Sequence, residues 1–362
     1  MKNAFIPVLL LMLGGLVNAQ NVQRLEKVDS LFNILEYNEM AMGSISIFSK
    51  GKEVYQRSIG YSELENASEA DAATIYRIGS ITKTFTAVVI MQLIEEDKLK
   101  PDTFLQQFFP QIPNSDKITI NHLLRHQSGL FNVTDDEDFR SWMLKPQSRE
   151  DMLKRFVKYG ILFEPAEKAQ YSNTNYLLLS YIAEDIEDKT FAEIVEERMI
   201  KKLDLENTFY GGKIDPENNE ARSYVKSESA WQVTPETDMS VPMGAGGLVS
   251  TPEDLNIFFY HLFEGDLVSE TSLEAMKNTE NGIGPGIMKL PFNNMEVYGH
   301  GGGIDGFSSI AVHFPGQKLT AAYTANASDY PMQNLFQVII KMILGLDYEL
   351  PESLLADSKL QN

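Results

Sequence analysis

The chain has 362 residues, 43% hydrophobic and 23% charged, a balance that suits one large globular domain or two lobes and excludes a disordered tail. Its 51 acidic against 31 basic side chains leave a formal charge of -20, which repels a polyanion over most of the surface and sets nucleic acid aside as a partner. No cysteine is present, which excludes disulfides, a thiol nucleophile, thiolate-bound zinc and a lipid-modified cysteine, so the fold must rest on its core.

In chain order, one lysine precedes an apolar run from Ala4 to Val17, and Val17-Asn18-Ala19 supplies small residues after it. The run is too short for a stable membrane span and predicts a cleaved export signal over 1–19, with the mature chain starting near Gln20 in the periplasm or outside the cell. No later segment approaches membrane-spanning length. Val22, Leu25, Val28, Leu31, Phe32 and Leu35 then recur at helical spacing. Met42 to Phe48 and Val54 to Tyr61 read as two strands, and the glycine of Ser49-Lys50-Gly51-Lys52 suits a hairpin turn between them.

Ser80 and Lys83 come next, three residues apart at the head of the apolar run Ala87 to Ile94. That spacing puts both side chains on one face of a helix's first turn. A serine hydroxyl becomes a nucleophile when a base takes its proton, and a lysine can be that base once burial or neighbouring charge lowers its pKa. Taken alone, the pair also fits an ordinary helix with a serine cap and a surface lysine.

From about 101 to 240 the patterns are mainly helical, with loops at 110–117 and 132–138. His122 and His126 have the i, i+4 spacing of metal ligands, but no carboxylate or third ligand stands nearby, so a metal is not expected. Tyr171-Ser172-Asn173 precedes an apolar helix. A phenol held against a lysine can relay a proton and an asparagine amide can orient a carbonyl, although a tyrosine packed in a loop fits the same residues. Gly244 to Asp254 reads as a glycine-rich strand running into a helix capped by Ser250 or Thr251. A helix near Ser269 to Lys277, strands near Gly282 to Lys289, Val297 to His300, Phe307 to Phe314 and Leu319 to Thr324, and a helix from Met332 to Leu344 complete the chain. Strands without long helical crossovers favour antiparallel pairing. Within this part, His300-Gly301-Gly302-Gly303 lets a backbone or ligand approach closely and offers amides to a developing oxyanion, or forms a flexible turn with a surface histidine.

Three motifs in this order, Ser80-Ile81-Thr82-Lys83, Tyr171-Ser172-Asn173 and His300-Gly301-Gly302, resemble the serine hydrolase family that contains class C β-lactamases, DD-peptidases and related esterases. The resemblance covers nearly the whole mature chain. It implies an α+β, two-lobed fold in which an antiparallel sheet flanked by helices (about 20–100 and 241–347) receives a mainly helical lobe (about 101–240), followed by a polar tail at 348–362. It also implies an acyl-enzyme on Ser80, with Lys83 and Tyr171 managing protons, Asn173, His300, Gly301 and Gly302 holding substrate, and the Ser80 and Gly303 amides forming the oxyanion hole. No metal or organic cofactor is implied. The expected substrate is a small molecule or peptide, a D-amino-acid peptide, amide or ester; the rivals are a β-lactamase proper and a penicillin- or peptidoglycan-binding protein with little turnover.

Two departures matter. Ala166 stands where such proteins usually carry glycine after Pro165. His300 takes the place of a lysine, and with an ordinary pKa of about 6.5 it would attract a substrate carboxylate weakly at pH 7.5 and better as it gains a proton toward pH 5.5.

Overall fold

The computed structural model describes residues 6–228 and 230–350, with side chains from Val22 onward. The leader expected over 1–19 and the tail expected over 348–362 fall largely outside the residues whose side chains are described, and both stay expectations. The chain starts with α1 (Ile6–Tyr37), then the strands β1 (Ala41–Ser49) and β2 (Lys52–Ile59). Lys50 and Gly51 at the hairpin tip both have positive φ, 54° and 72°, which matches the right-handed twist of the strands they join. The buried helix α2 (Thr82–Glu95) follows, and farther on come α3 (Asn173–Glu187) and α4 (Pro252–Glu264). Of the two expected caps for α4, Thr251 is the one used: its hydroxyl accepts the Asp254 N–H at 3.2 Å, ahead of a proline in the first turn.

The last part supplies β3 (Met288–Lys289), β4 (Tyr298–Ile304), β5 (Phe307–Phe314), β6 (Leu319–Ser328) and α5 (Met332–Leu344). The main sheet has the order β3-β4-β5-β6-β1-β2, antiparallel throughout, and β1 pairs with β6 from Ala41↔Ser328 to Ser49↔Leu319, so the two ends of the chain close one sheet. Residues 101–240 add no strand to it. α1 and α5 cover one face, where Phe32 meets Tyr323 edge-on amid Ile45, Ile47 and Val312. On the other face Phe258 of α4 stacks on Phe85 of α2 at 3.6 Å between ring centres.

Two regions differ from the sequence reading. The helical lobe also holds the hairpin Tyr224–Ser227 with Ala230–Val233, and Phe209–Tyr210 joins a small sheet with Leu248–Ser250 and Tyr76–Arg77. The strand expected over 282–289 shrinks to two residues, because Gly282 and Gly286 take positive φ (82° and 69°) and turn the chain back on itself. The edge of β4 beyond Gly299 is therefore left uncovered.

Candidate active site

Ser80 sits at a joint. The strand Tyr76–Arg77 pairs with Val249 and Ser250, one tight turn spans Gly79–Ile81, and α2 begins at Thr82. Gly79 has φ of +50°, and a side chain there would lie 2.8 Å from the Gly303 amide nitrogen, so only glycine permits this approach. A side chain on Gly302 would overlap the Ile78 carbonyl, to which the Ser309 hydroxyl donates at 2.7 Å. The serine turn and the middle of β4 are thus pressed together, which brings the Gly303 backbone beside Ser80.

α2 is apolar on every side and buried, and Lys83 goes with it: the side chain is fully buried. Its Nζ lies 3.0 Å from Ser80 Oγ, 2.7 Å from Asn173 Oδ1 and 2.6 Å from the Ala245 carbonyl. Burial holds its pKa well below the usual lysine range, and among the described residues no carboxylate pairs with it. The rings of Tyr171 and Tyr176, 4.9 and 5.8 Å away, favour a cation by about 0.5–2 kcal/mol, less than the several kcal/mol lost on taking an ammonium out of water. A neutral amine has two N–H donors, and the two carbonyl oxygens use both. Its lone pair is then left for Ser80, whose hydroxyl donates to it.

Tyr171 completes the chain, its phenol donating to Ser80 Oγ at 2.8 Å. Burial raises its pKa, so it is a phenol and not a phenolate at neutral pH. Its ring stacks on His126 at 4.5 Å between centres. His126 Nδ1 accepts the Ser172 N–H at 3.1 Å, while burial first, and then the charges of Lys83 and His300, lower its pKa well below the ordinary value. The two histidines at metal-ligand spacing do not converge on a common site: His122 accepts the Thr119 N–H in a helix cap, and His126 lies under Tyr171. Among the described residues no group of three potential ligands gathers anywhere. Asn173 is held by Asn132 and Thr134, to which its Nδ2 donates at 3.1 and 3.0 Å, while its oxygen faces Lys83. In the structure this amide sets the direction of the Lys83 amine.

His300 corrects an expectation. It is 3% exposed, its Nδ1–H donates to the Gly301 carbonyl at 2.5 Å, and burial first, then repulsion from Lys83, brings its pKa down to about 4. It is neutral across pH 5.5–8, so the carboxylate attraction expected to grow over that range has no charge behind it.

Sequence reading missed Arg77 and Asp305. They form a buried ion pair at 2.7 Å, and Asp305 also accepts from the Thr237 amide at 3.0 Å and hydroxyl at 2.6 Å. Arg77 precedes the serine turn and Asp305 follows β4, so this pair ties the serine turn to the end of that strand across 228 residues of chain. Only the unusual arginine ahead of an apolar helix could have hinted at it. Asn132, Thr134 and the Ala245 carbonyl carried no local signal.

A serine within hydrogen-bond reach of a buried lysine and a phenol, at a strand-to-helix turn on a two-lobed scaffold of helices and antiparallel sheet, has the make-up of a serine hydrolase. The family model for beta-lactamase matches residues 34–337, and the chain belongs to that family. It is 26% identical to penicillin-binding protein 4* of Bacillus subtilis, over 90% of this chain and 77% of that one. It is 25% identical to the teichoic acid D-alanine hydrolase of Staphylococcus aureus, over 64% of this chain and 55% of the relative. Among solved structures it superposes on the D-amino acid amidase of Ochrobactrum anthropi with a TM-score of 0.78 at 22% identity, covering 88% of this chain and 98% of that one. The D-stereospecific amidohydrolase of Streptomyces gives 0.75 at 25% identity, covering 88% and 99%.

Proposed function

We propose that this protein is an exported hydrolase that cleaves a D-amino-acid peptide, amide or ester through an acyl-enzyme on Ser80. The observation that carries the reading is Ser80 Oγ held 3.0 Å from Lys83 Nζ and 2.8 Å from the Tyr171 phenol, with burial lowering the lysine pKa and keeping the phenol protonated. As Ser80 Oγ bonds to the substrate carbonyl carbon, its proton passes to Lys83. The negative charge forming on the carbonyl oxygen faces the N–H groups of Ser80 and Gly303. When the bond to the leaving group breaks, Tyr171 protonates that group and is left as a phenolate, while Lys83 keeps the serine proton. Water then attacks the ester as Tyr171 takes its proton, and Lys83 returns its own proton to Ser80 Oγ as that bond breaks.

Relatives named for D-amino acids or D-alanine support the choice of substrate class. A β-lactamase proper is less well supported, because the position where such enzymes resemble one another in a lysine holds the neutral His300. Export rests on the apolar leader; among the described residues no helix is long and apolar enough to cross a membrane.

The test joins labelling with turnover. A fluorophosphonate probe should modify Ser80 and fail to modify the Ser80→Ala variant, and N-acetyl-D-alanine esters should be hydrolysed beyond one equivalent in preference to their L-enantiomers. Labelling of another serine, or an L preference, would overturn the assignment.

A further inference from the structure

Two cavities meet at Ser80, and their walls differ in character. The leaving group must stand beside the acid that protonates it, so the cavity that holds Tyr171 is the leaving-group side. That cavity has a volume of about 760 Å³ and runs from Ser80, Tyr171 and His300 over the rim of β4 onto the sheet face covered by α5. The other, of about 430 Å³, holds Asn173 and Gly303 without the phenol and is the acyl side.

The register explains why the first cavity exists. Gly301 pairs with Ile310 and Gly303 with Ser308, so these glycines point to the α5 face while His300 and Gly302 point to the serine. A side chain built on Gly301 or Gly303 would meet nothing closer than 3.6 Å. β3 ends after two residues and leaves the neighbouring edge open. What remains is a trough floored by Ile310 and Val312 and walled by Leu290, Phe292, Met332 and Phe336. From Ser308 to Phe314 it follows seven residues of β5, roughly 20 Å. Among the described residues no aspartate, glutamate, lysine or arginine lines it, and the one titratable group there besides Tyr171 is the neutral His300. The charge lies on the acyl side instead, where Arg140 is exposed and has no ion-pair partner among the described residues.

We infer that the apolar trough over Gly301 and Gly303 is the leaving-group subsite, and that the substrate carries an extended, uncharged apolar leaving group rather than one ending in a carboxylate. This rests on the acyl-enzyme reading above. In the step concerned, the ester C–O bond breaks, Ser80 keeps the acyl group, and the departing alcohol takes the Tyr171 proton and lies along β5. A free D-alanine leaving group, short and anionic, uses neither the length of the trough nor its apolar walls.

The test compares N-acetyl-D-alanine esters of ethanol, octanol and 8-hydroxyoctanoic acid. Each buried methylene multiplies kcat/KM by up to about fourfold, so the octyl ester should exceed the ethyl ester at least tenfold, and the terminal carboxylate should erase the gain. Gln337→Trp, on the exposed face of α5 at the trough's rim, should narrow the octyl-to-ethyl ratio. Octanol should also slow fluorophosphonate labelling of Ser80 at a concentration at least tenfold below butanol. Equal rates for the ethyl and octyl esters, or equal protection by the two alcohols, would overturn the inference. If no D-ester is turned over, the acyl-enzyme reading falls, and the alcohol protection still decides the trough.

Discussion

Asn173→Asp puts a carboxylate where an amide oxygen now stands, 2.7 Å from Lys83 Nζ, with almost no change of shape. At an effective dielectric of about 20, an ammonium and a carboxylate at that distance attract by about 6 kcal/mol. Burial lowers the pKa of the wild-type amine, so this attraction acts in the opposite direction and favours its protonated form. A protonated Lys83 cannot take the Ser80 proton. Asn173→Ala is the control: it leaves one Lys83 N–H without an acceptor, at a cost of about 1–3 kcal/mol, and introduces no charge. Even after the cost of burying the new carboxylate offsets part of the attraction, Asn173→Asp should acylate at least a hundredfold more slowly than Asn173→Ala at pH 7.5. The assay is the rate of fluorophosphonate labelling of Ser80 from pH 5 to 10. In the wild type the depressed lysine pKa should let the rate level off at a lower pH than in the aspartate variant, where it should still be climbing at the alkaline end. If both variants label at similar rates with similar profiles, Lys83 is not the base.

The ratio of kcat/KM for a carboxylate-bearing substrate to its uncharged analogue should stay constant from pH 5.5 to 8, because His300 becomes charged only near pH 4; a midpoint near 6.5 would show that it is not buried. His300 and His313 both have folded-state pKa values lowered to about 4 against about 6.5 unfolded, so the unfolded chain binds more protons below pH 6.5. Stability measured by urea melts should accordingly be full above pH 6.5 and fall steadily toward pH 4, and an equal midpoint at pH 7 and pH 5 would contradict this. Asp305→Asn removes the nearer of the two carboxylates that face the buried Arg77 and leaves only Glu236 at 3.6 Å, which should cost up to about 3–5 kcal/mol in urea denaturation and lower kcat by loosening the serine turn against β4. Ala166 has φ of +66°, a left-handed backbone that costs a residue with a side chain about 1–2 kcal/mol, so Ala166→Gly should recover up to about 1 kcal/mol of stability without altering turnover; a loss of stability would refute the strain.

The sequence by itself determined whatever depends on neighbours a few positions apart. The helix Met332–Leu344 stands where its periodicity put it, the Thr251-Pro252 cap was visible as a cap, and Ser80 and Lys83 met because one turn of helix makes them meet. Residue types at motif spacing named Tyr171 as well, and the phenol does reach Ser80 from 91 positions away. Charge state belonged to the tertiary structure. Lysine, tyrosine and histidine have ordinary pKa values in any sequence, and only burial lowers the pKa of Lys83, keeps Tyr171 protonated and holds His300 uncharged. Pairings across the fold were equally silent, since nothing near Arg77 in the chain points to Asp305, and nothing near Asn173 points to Asn132 and Thr134. The trough was decided last of all. Gly301 and Gly303 read as permissive backbone, but only strand register turns them toward α5, and only the two-residue length of β3 leaves their edge open. Local sequence selects helices, strands and caps through short-range geometry, whereas desolvation and shape depend on what the rest of the chain packs against each group.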